Sequence, residues 1–132
     1  DKNTGLKLPL HLAKISAGFA SPADDYIDKK LDLNEYLINH PAATFFVRVE
    51  GDSMINAGIN NNDLLIVDRA LQPAHGKIVI AVLNGEFTVK RLHITDGIYA
   101  LVPENPAYPV IEIREGSEFE IWGVVTNVIH SV

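Results

Sequence analysis

From Thr44 onward the apolar residues fall into short runs punctuated by turn residues, and this pattern predicts strands rather than helices. The runs are Phe45–Glu50, Leu64–Asp68, Lys77–Leu83, Glu86–His93, Ile98–Val102, Val110–Ile113 and Phe119–Ile129. They are rich in the β-branched and aromatic side chains that fit a pleated surface. Between them stand Asn60-Asn61-Asn62-Asp63, Gln72-Pro73, Asn84-Gly85 and Asp96-Gly97, residues that favour turns. Asn84-Gly85 is the strongest hairpin signal, because both central positions of a type I′ turn need positive φ. Helical periodicity is confined to one place. Asp32-Leu33-Asn34-Glu35 has the layout of a capped helix start, Leu33, Tyr36 and Leu37 follow at helical spacing, and Pro41 is expected to end the helix. Residues 1–30 read as an extended arm. Their apolar positions Leu6, Leu8, Leu10, Leu12 and Ile15 are interrupted by Pro9, and the stretch from Ser16 to Pro22 is small and flexible. The expected architecture is therefore mainly β with short helices, an N-terminal arm over 1–30 and one folded domain over 31–132.

Composition narrows the class. At 132 residues with 47% apolar side chains, the chain is long enough to bury a core. No run approaches the roughly 18 apolar residues of a membrane span, and Asp1-Lys2-Asn3-Thr4 lacks the layout of a signal peptide. With no cysteine, disulfides and thiolate metal sites are excluded and a cytoplasmic location is the simplest expectation. A net charge of −6 argues against direct nucleic-acid binding through a basic face, and no helix-turn-helix pattern is found.

The candidate chemistry sits in two of the strand-turn units. Gly51-Asp52-Ser53-Met54 follows the first predicted strand, and a glycine there lets the backbone bend sharply before a helical turn begins. Backbone N–H groups at such a turn favour a developing negative charge. Ser53 can act as a nucleophile there only if a base takes its proton. Lys90, in Glu86-Phe87-Thr88-Val89-Lys90-Arg91-Leu92, is a candidate base. A free lysine is charged at pH 7, but full burial lowers its pKa by roughly 3–5 units. Thr88 lies two residues earlier on the same strand face and can orient the amine. Alternation alone does not decide whether that face or the Phe87, Val89, Arg91 face is buried, and a solvated strand lysine is the ordinary reading of any lysine. A serine-histidine-acid site fits poorly, since Ile55 stands where Gly-x-Ser-x-Gly needs its second glycine. His11, His40, His75, His93 and His130 sit in no recognisable motif and show no metal-ligand spacing, so no metal or cofactor is expected.

Three segments in order carry a resemblance: Gly51-Asp52-Ser53-Met54, Asp63-Leu64-Leu65-Ile66-Val67-Asp68, and Gly85 to Leu92 with Lys90 37 residues after Ser53. Together with Ser16-Ala17-Gly18-Phe19-Ala20-Ser21-Pro22 and His40-Pro41, they make the chain similar to the UmuD-like members of the LexA-type self-cleaving Ser/Lys peptidases. The resemblance runs from about Ser16 to the C-terminus. It implies a LexA C-terminal-domain-like β-rich fold, and it implies that Ser53 attacks the chain's own Ala17–Gly18 bond with Lys90 as base and then acid. UmuD proper usually carries cysteine at the position of Ala17, whereas LexA itself and phage repressors use the same Ala-Gly pair. The backbone N–H groups of Asp52 and Ser53 would be the oxyanion donors, each worth about 2.7–4 kcal/mol. The resemblance further implies a RecA filament on single-stranded DNA as trigger and a trimmed homodimer. That homodimer would serve a Y-family (UmuC-like) polymerase that copies damaged DNA in the SOS response. The rival readings are a non-catalytic interaction module, the dimerisation part of a cleavable repressor, disfavoured by the brief segment before Ser16, and a signal peptidase, disfavoured by the missing anchor.

Overall fold

The computed structural model of the protein describes residues 7–10 and 29–132. Two compact units divide between Asn39 and His40. In the first, strand β1 (Lys7–Leu10) pairs antiparallel with β2 (Lys29–Asp32), Leu8 opposite Leu31 and Pro9 opposite Lys30. The sequence expectation of an extended arm over 1–30 does not include this pairing. Helix α1 (Leu33–Leu37) follows at once, and the carboxylate of Asp32 accepts the Asn34 N–H at 2.9 Å, the N-cap the sequence predicts. The helix ends at Leu37, with Ile38 extended as its C-cap, well before Pro41. Pro41 instead opens a 3-10 turn, Pro41–Ala43, where its fixed φ and missing N–H suit the first position.

The second unit is a seven-stranded antiparallel sheet with the order β3-β4-β9-β5-β6-β7-β8. Its strands are β3 (Thr44–Arg48), β4 (Leu64–Asp68), β5 (Ile78–Leu83), β6 (Glu86–Thr95), β7 (Ile98–Val102), β8 (Ile111–Glu112) and β9 (Phe119–Ile129). The two hairpin turns have the φ signs their residues predict: 50° and 85° at Asn84-Gly85, 54° and 77° at Asp96-Gly97. The mainly β, LexA C-terminal-domain-like class expected from the sequence is the one observed.

Alternation along β5 sorts the core. Ile80 packs with Val49, Met54, Ile59, Leu65 and Val67, whereas Val79 and Ala81 pack with Leu92, Leu101 and Val124. A strand buried on both faces has no polar side to show, which is why Ile78–Leu83 reads as an unbroken apolar run. Long β9 holds the two halves together by pairing with both β4 and β5. Its register slips twice. Ile80 faces Gly123 while Ala81 faces Ile121, and Ile66 faces Asn127 while Val67 faces Val125, so Trp122 and Thr126 are the extra residues of two bulges. The bulge re-aims Trp122, which packs against the first core cluster and lies 5.2 Å from the Phe45 ring.

Candidate active site

The Ser53 turn is built from the strand before it and the methionine after it. Past β3, Val49 exchanges backbone hydrogen bonds with the Asn62–Asp63 segment, both at 2.8 Å. The Gly51 N–H donates to Asn61 Oδ1 at 2.8 Å while Gly51 itself sits at φ 97°, a conformation only glycine adopts without strain. Met54 is 1% exposed and anchors the turn in the core, and its carbonyl accepts from Ala57 and Ile59. The helical turn expected here is a short 3-10 segment, Ile55–Ala57, closed by Gly58 in the left-handed conformation. Ser53 is left half-buried beside the anchor.

Lys90 lies in the middle of β6, opposite Val79 of β5, and is 8% exposed. Lys90 and Leu92 are the buried residues of β6, while Val89 on the other face packs against the first core cluster, so both faces are partly covered. The amine donates to Thr88 Oγ1 at 2.6 Å, to Ser53 Oγ at 3.2 Å and to the Val89 carbonyl at 3.2 Å. Among the described residues no carboxylate lies within ion-pairing distance of it. Burial is therefore unopposed and pushes the Lys90 pKa below its ordinary value. In the protonated state the amine donates to Ser53. Once neutral, its lone pair can accept the serine proton across the same contact.

The two side chains open into a cleft of about 610 Å³. Its floor and walls include Val47, Leu65, Ile80 and Val89, with Phe87, Tyr108 and Trp122 at its sides. An apolar groove of that size suits an extended stretch of polypeptide. Asp52, the other proposed oxyanion position, is held from two directions: Tyr108 donates its hydroxyl to Asp52 Oδ1 at 2.5 Å, and Asn105 Nδ2 donates to the Asp52 carbonyl at 3.0 Å. That contact with a carboxylate also raises the Tyr108 pKa. The segment Pro103–Tyr108 was absent from the sequence reading of the site. Its only signal was a polar, proline-flanked run, Pro103-Glu104-Asn105-Pro106, between two predicted strands.

The histidines find other work. His40 Nδ1 meets Asp68 Oδ2 at 2.6 Å, His130 lies 3.5 Å from Asp63, and His75 accepts the Ile94 N–H and lies against His93 with the two rings tilted by 51°. His11 and the predicted cleavage pair Ala17 and Gly18 lie outside the described residues.

An inward lysine hydrogen-bonded to a serine, at the edge of an apolar groove in an antiparallel sheet, is the arrangement that Ser/Lys peptidase chemistry requires. The chain belongs to the Peptidase S24-like family, whose model matches residues 9–126. It is 53% identical to Protein SamA of Salmonella typhimurium, over 92% of this chain and 84% of that protein. It is 52% identical to Protein ImpA of Escherichia coli (92% and 83%) and 48% identical to Protein MucA of Escherichia coli (91% and 82%). With the LexA repressor of Paracidovorax citrulli it shares 37% identity over 96% of this chain but 55% of the repressor. The chain is thus a UmuD-like, self-cleaving serine peptidase associated with the SOS response to DNA damage. No helix among the described residues is long and apolar enough to cross a membrane.

Proposed function

We propose that the protein cuts its own chain between Ala17 and Gly18, with Ser53 as nucleophile and Lys90 as general base and then general acid. Neutral Lys90 takes the hydroxyl proton as Ser53 Oγ bonds to the Ala17 carbonyl carbon. The oxyanion that forms draws on the backbone N–H groups of Asp52 and Ser53. As the tetrahedral adduct collapses, the Lys90 ammonium returns its proton to the departing Gly18 amine. Water, deprotonated by the same amine, then hydrolyses the Ser53 ester and restores the enzyme. Thr88 keeps the amine pointed at Ser53 by accepting one of its hydrogens.

The observation that supports this reading most is the 3.2 Å contact between Ser53 Oγ and a Lys90 amine withdrawn from water. Arm and catalytic groups belong to one molecule, so their effective concentration is high and the rate is set by arm occupancy and by the neutral fraction of Lys90. A RecA filament on single-stranded DNA raises that occupancy, and the trimmed chain acts as a cytoplasmic homodimer, an accessory subunit of a Y-family (UmuC-like) polymerase. The chain's net charge of −6 favours reaching DNA through such partners rather than by direct contact. The test is mass spectrometry of purified protein after alkaline incubation. A fragment beginning at Gly18 is expected, and Ser53→Ala and Lys90→Ala should each abolish it. Undiminished cleavage in either variant would refute the assignment.

A further inference from the structure

Ser53 and Lys90 stand on elements that do not pair with one another: a turn after β3, at one edge of the sheet, and a strand four places away in the sheet order. Their mutual hydrogen bond is long at 3.2 Å, and a hydroxyl and an amine cannot by themselves hold two elements in register. We propose that Glu104 is the positioning residue that sets the distance between them, an inference that rests on the Ser53/Lys90 reading above.

Glu104 follows β7 and grips both sides. Its N–H donates to the Ser53 carbonyl at 2.8 Å, and its carbonyl accepts the Asn56 N–H at 2.9 Å, so its main chain clasps the turn on either side of Met54. Its carboxylate reaches the other way, where Oε2 accepts from Arg91 Nε at 2.6 Å. Arg91 is the residue after Lys90, and its guanidinium is fixed at its far end by a 2.7 Å bond to the Gly76 carbonyl. The ion pair is about 30% exposed at each side chain, 31% for Arg91 and 29% for Glu104, and its hydrogen bond is short and charge-assisted. A continuous path therefore runs from the Ser53 carbonyl through Glu104 and Arg91 to the backbone beside Lys90. The Glu104 carboxylate pairs with Arg91 rather than with Lys90. Its role is geometric, and about 1 Å of misplacement at a reacting pair costs on the order of a hundredfold in rate.

Glu104→Met tests this, because it keeps both main-chain bonds and the unbranched side-chain shape while removing the acceptor for Arg91 Nε. Two rates are followed from pH 7 to pH 11: appearance of the Gly18 fragment, and labelling of Ser53 by a fluorophosphonate. Both should fall about tenfold to a hundredfold at every pH, with the midpoint of the pH profile unmoved. Arg91→Lys, which keeps the charge but loses the fork, should fall less, and the exchange Arg91→Glu with Glu104→Arg should recover part of the loss. If Glu104→Met does not fold, the comparison is carried by Arg91→Lys and Glu104→Asp. Rates within twofold of the parent would overturn the proposal. So would a displaced midpoint, which would mean that Glu104 acts on the lysine's charge. Failure of the parent chain to cleave or label, or labelling that survives Ser53→Ala, would instead sink the dyad itself.

Discussion

Lys90 shows how one residue's surroundings set what it can do. A lysine on an open strand holds its proton to about pH 10.4, but this one is 8% exposed, with no carboxylate within ion-pairing distance among the described residues, and burial lowers its pKa. The sign follows directly: a lowered pKa means more neutral amine at a given pH, so cleavage should rise with pH with its midpoint below the ordinary lysine value. Self-cleavage measured from pH 7 to pH 11 should follow one ionisation, with a clear acceleration by pH 10 in the absence of any partner. A rate flat across that range would count against Lys90 as base. Thr88, which accepts from the amine at 2.6 Å, gives a second prediction. Thr88→Val keeps the volume and removes the acceptor, so the amine loses one of its two side-chain partners and the plateau rate should drop about tenfold, within the range a positioned base contributes. The residue types and spacing of this pair were legible in the sequence. The burial of Lys90 was not, because Leu92 on one side and Phe87 and Val89 on the other make both faces of β6 partly apolar. Glu104 was illegible for a different reason: two of its three contacts are made by main-chain atoms, which carry no residue signature.

At the level of elements, local chemistry was the part that could be read. Positive-φ turns, the Asp32 cap and the apolar runs of β3 to β9 are encoded by neighbours in sequence, and they stand where those neighbours put them. The bulges at Trp122 and Thr126 depend on β9 serving two different partners at once, which no window of residues records. Gly123 marks that junction. A Cβ there would meet Val67 Cγ1 at 2.6 Å, and the neighbour is a core side chain that is 0% exposed and has nowhere to go. Gly123→Ala should therefore destabilise by about 1–3 kcal/mol, read as a lower urea midpoint, although alanine is the better strand residue in isolation. Asp68 offers a second element-level test, where β4 ends. Its buried carboxylate is held below the usual range first by the hydrogen bond from His40, then by backbone N–H donors including Ala70 at 2.8 Å, against the opposing cost of burial. A depressed carboxylate contributes its stability in full above its unfolded value near 3.8 and loses it as pH falls toward the folded value. Asp68→Asn should cost about 1–3 kcal/mol at pH 7, and the gap between variant and parent should narrow below pH 4. A gap that stays constant would mean that the charge of Asp68 contributes nothing.

For the whole molecule, the central question is what survives loss of the arm. From Asp32 onward, every buried apolar residue lies between Val49 and Val124, inside the His40–Val132 unit. Cleavage after Ala17 would remove β1 and none of that core. What it would remove is the partner of β2, whose four residues Lys29–Asp32 pair with Lys7–Leu10. A two-stranded ribbon has little independent stability in water, so β2 alone would not hold its hydrogen bonds. The trimmed product should therefore keep slow amide exchange in β4, β5, β6 and β9 while amides of Lys29–Leu31 become fast, because exchange reports each cooperative unit by itself. Its urea unfolding should remain a single transition, with a midpoint close to that of the uncut Ser53→Ala chain. Accelerated exchange through β4 and β5 after trimming would show instead that the first 17 residues contribute to the core. The first outcome would leave a stable folded sheet with a newly unpaired segment at its N-terminal end, and so a cut that changes what the protein exposes without changing what holds it together.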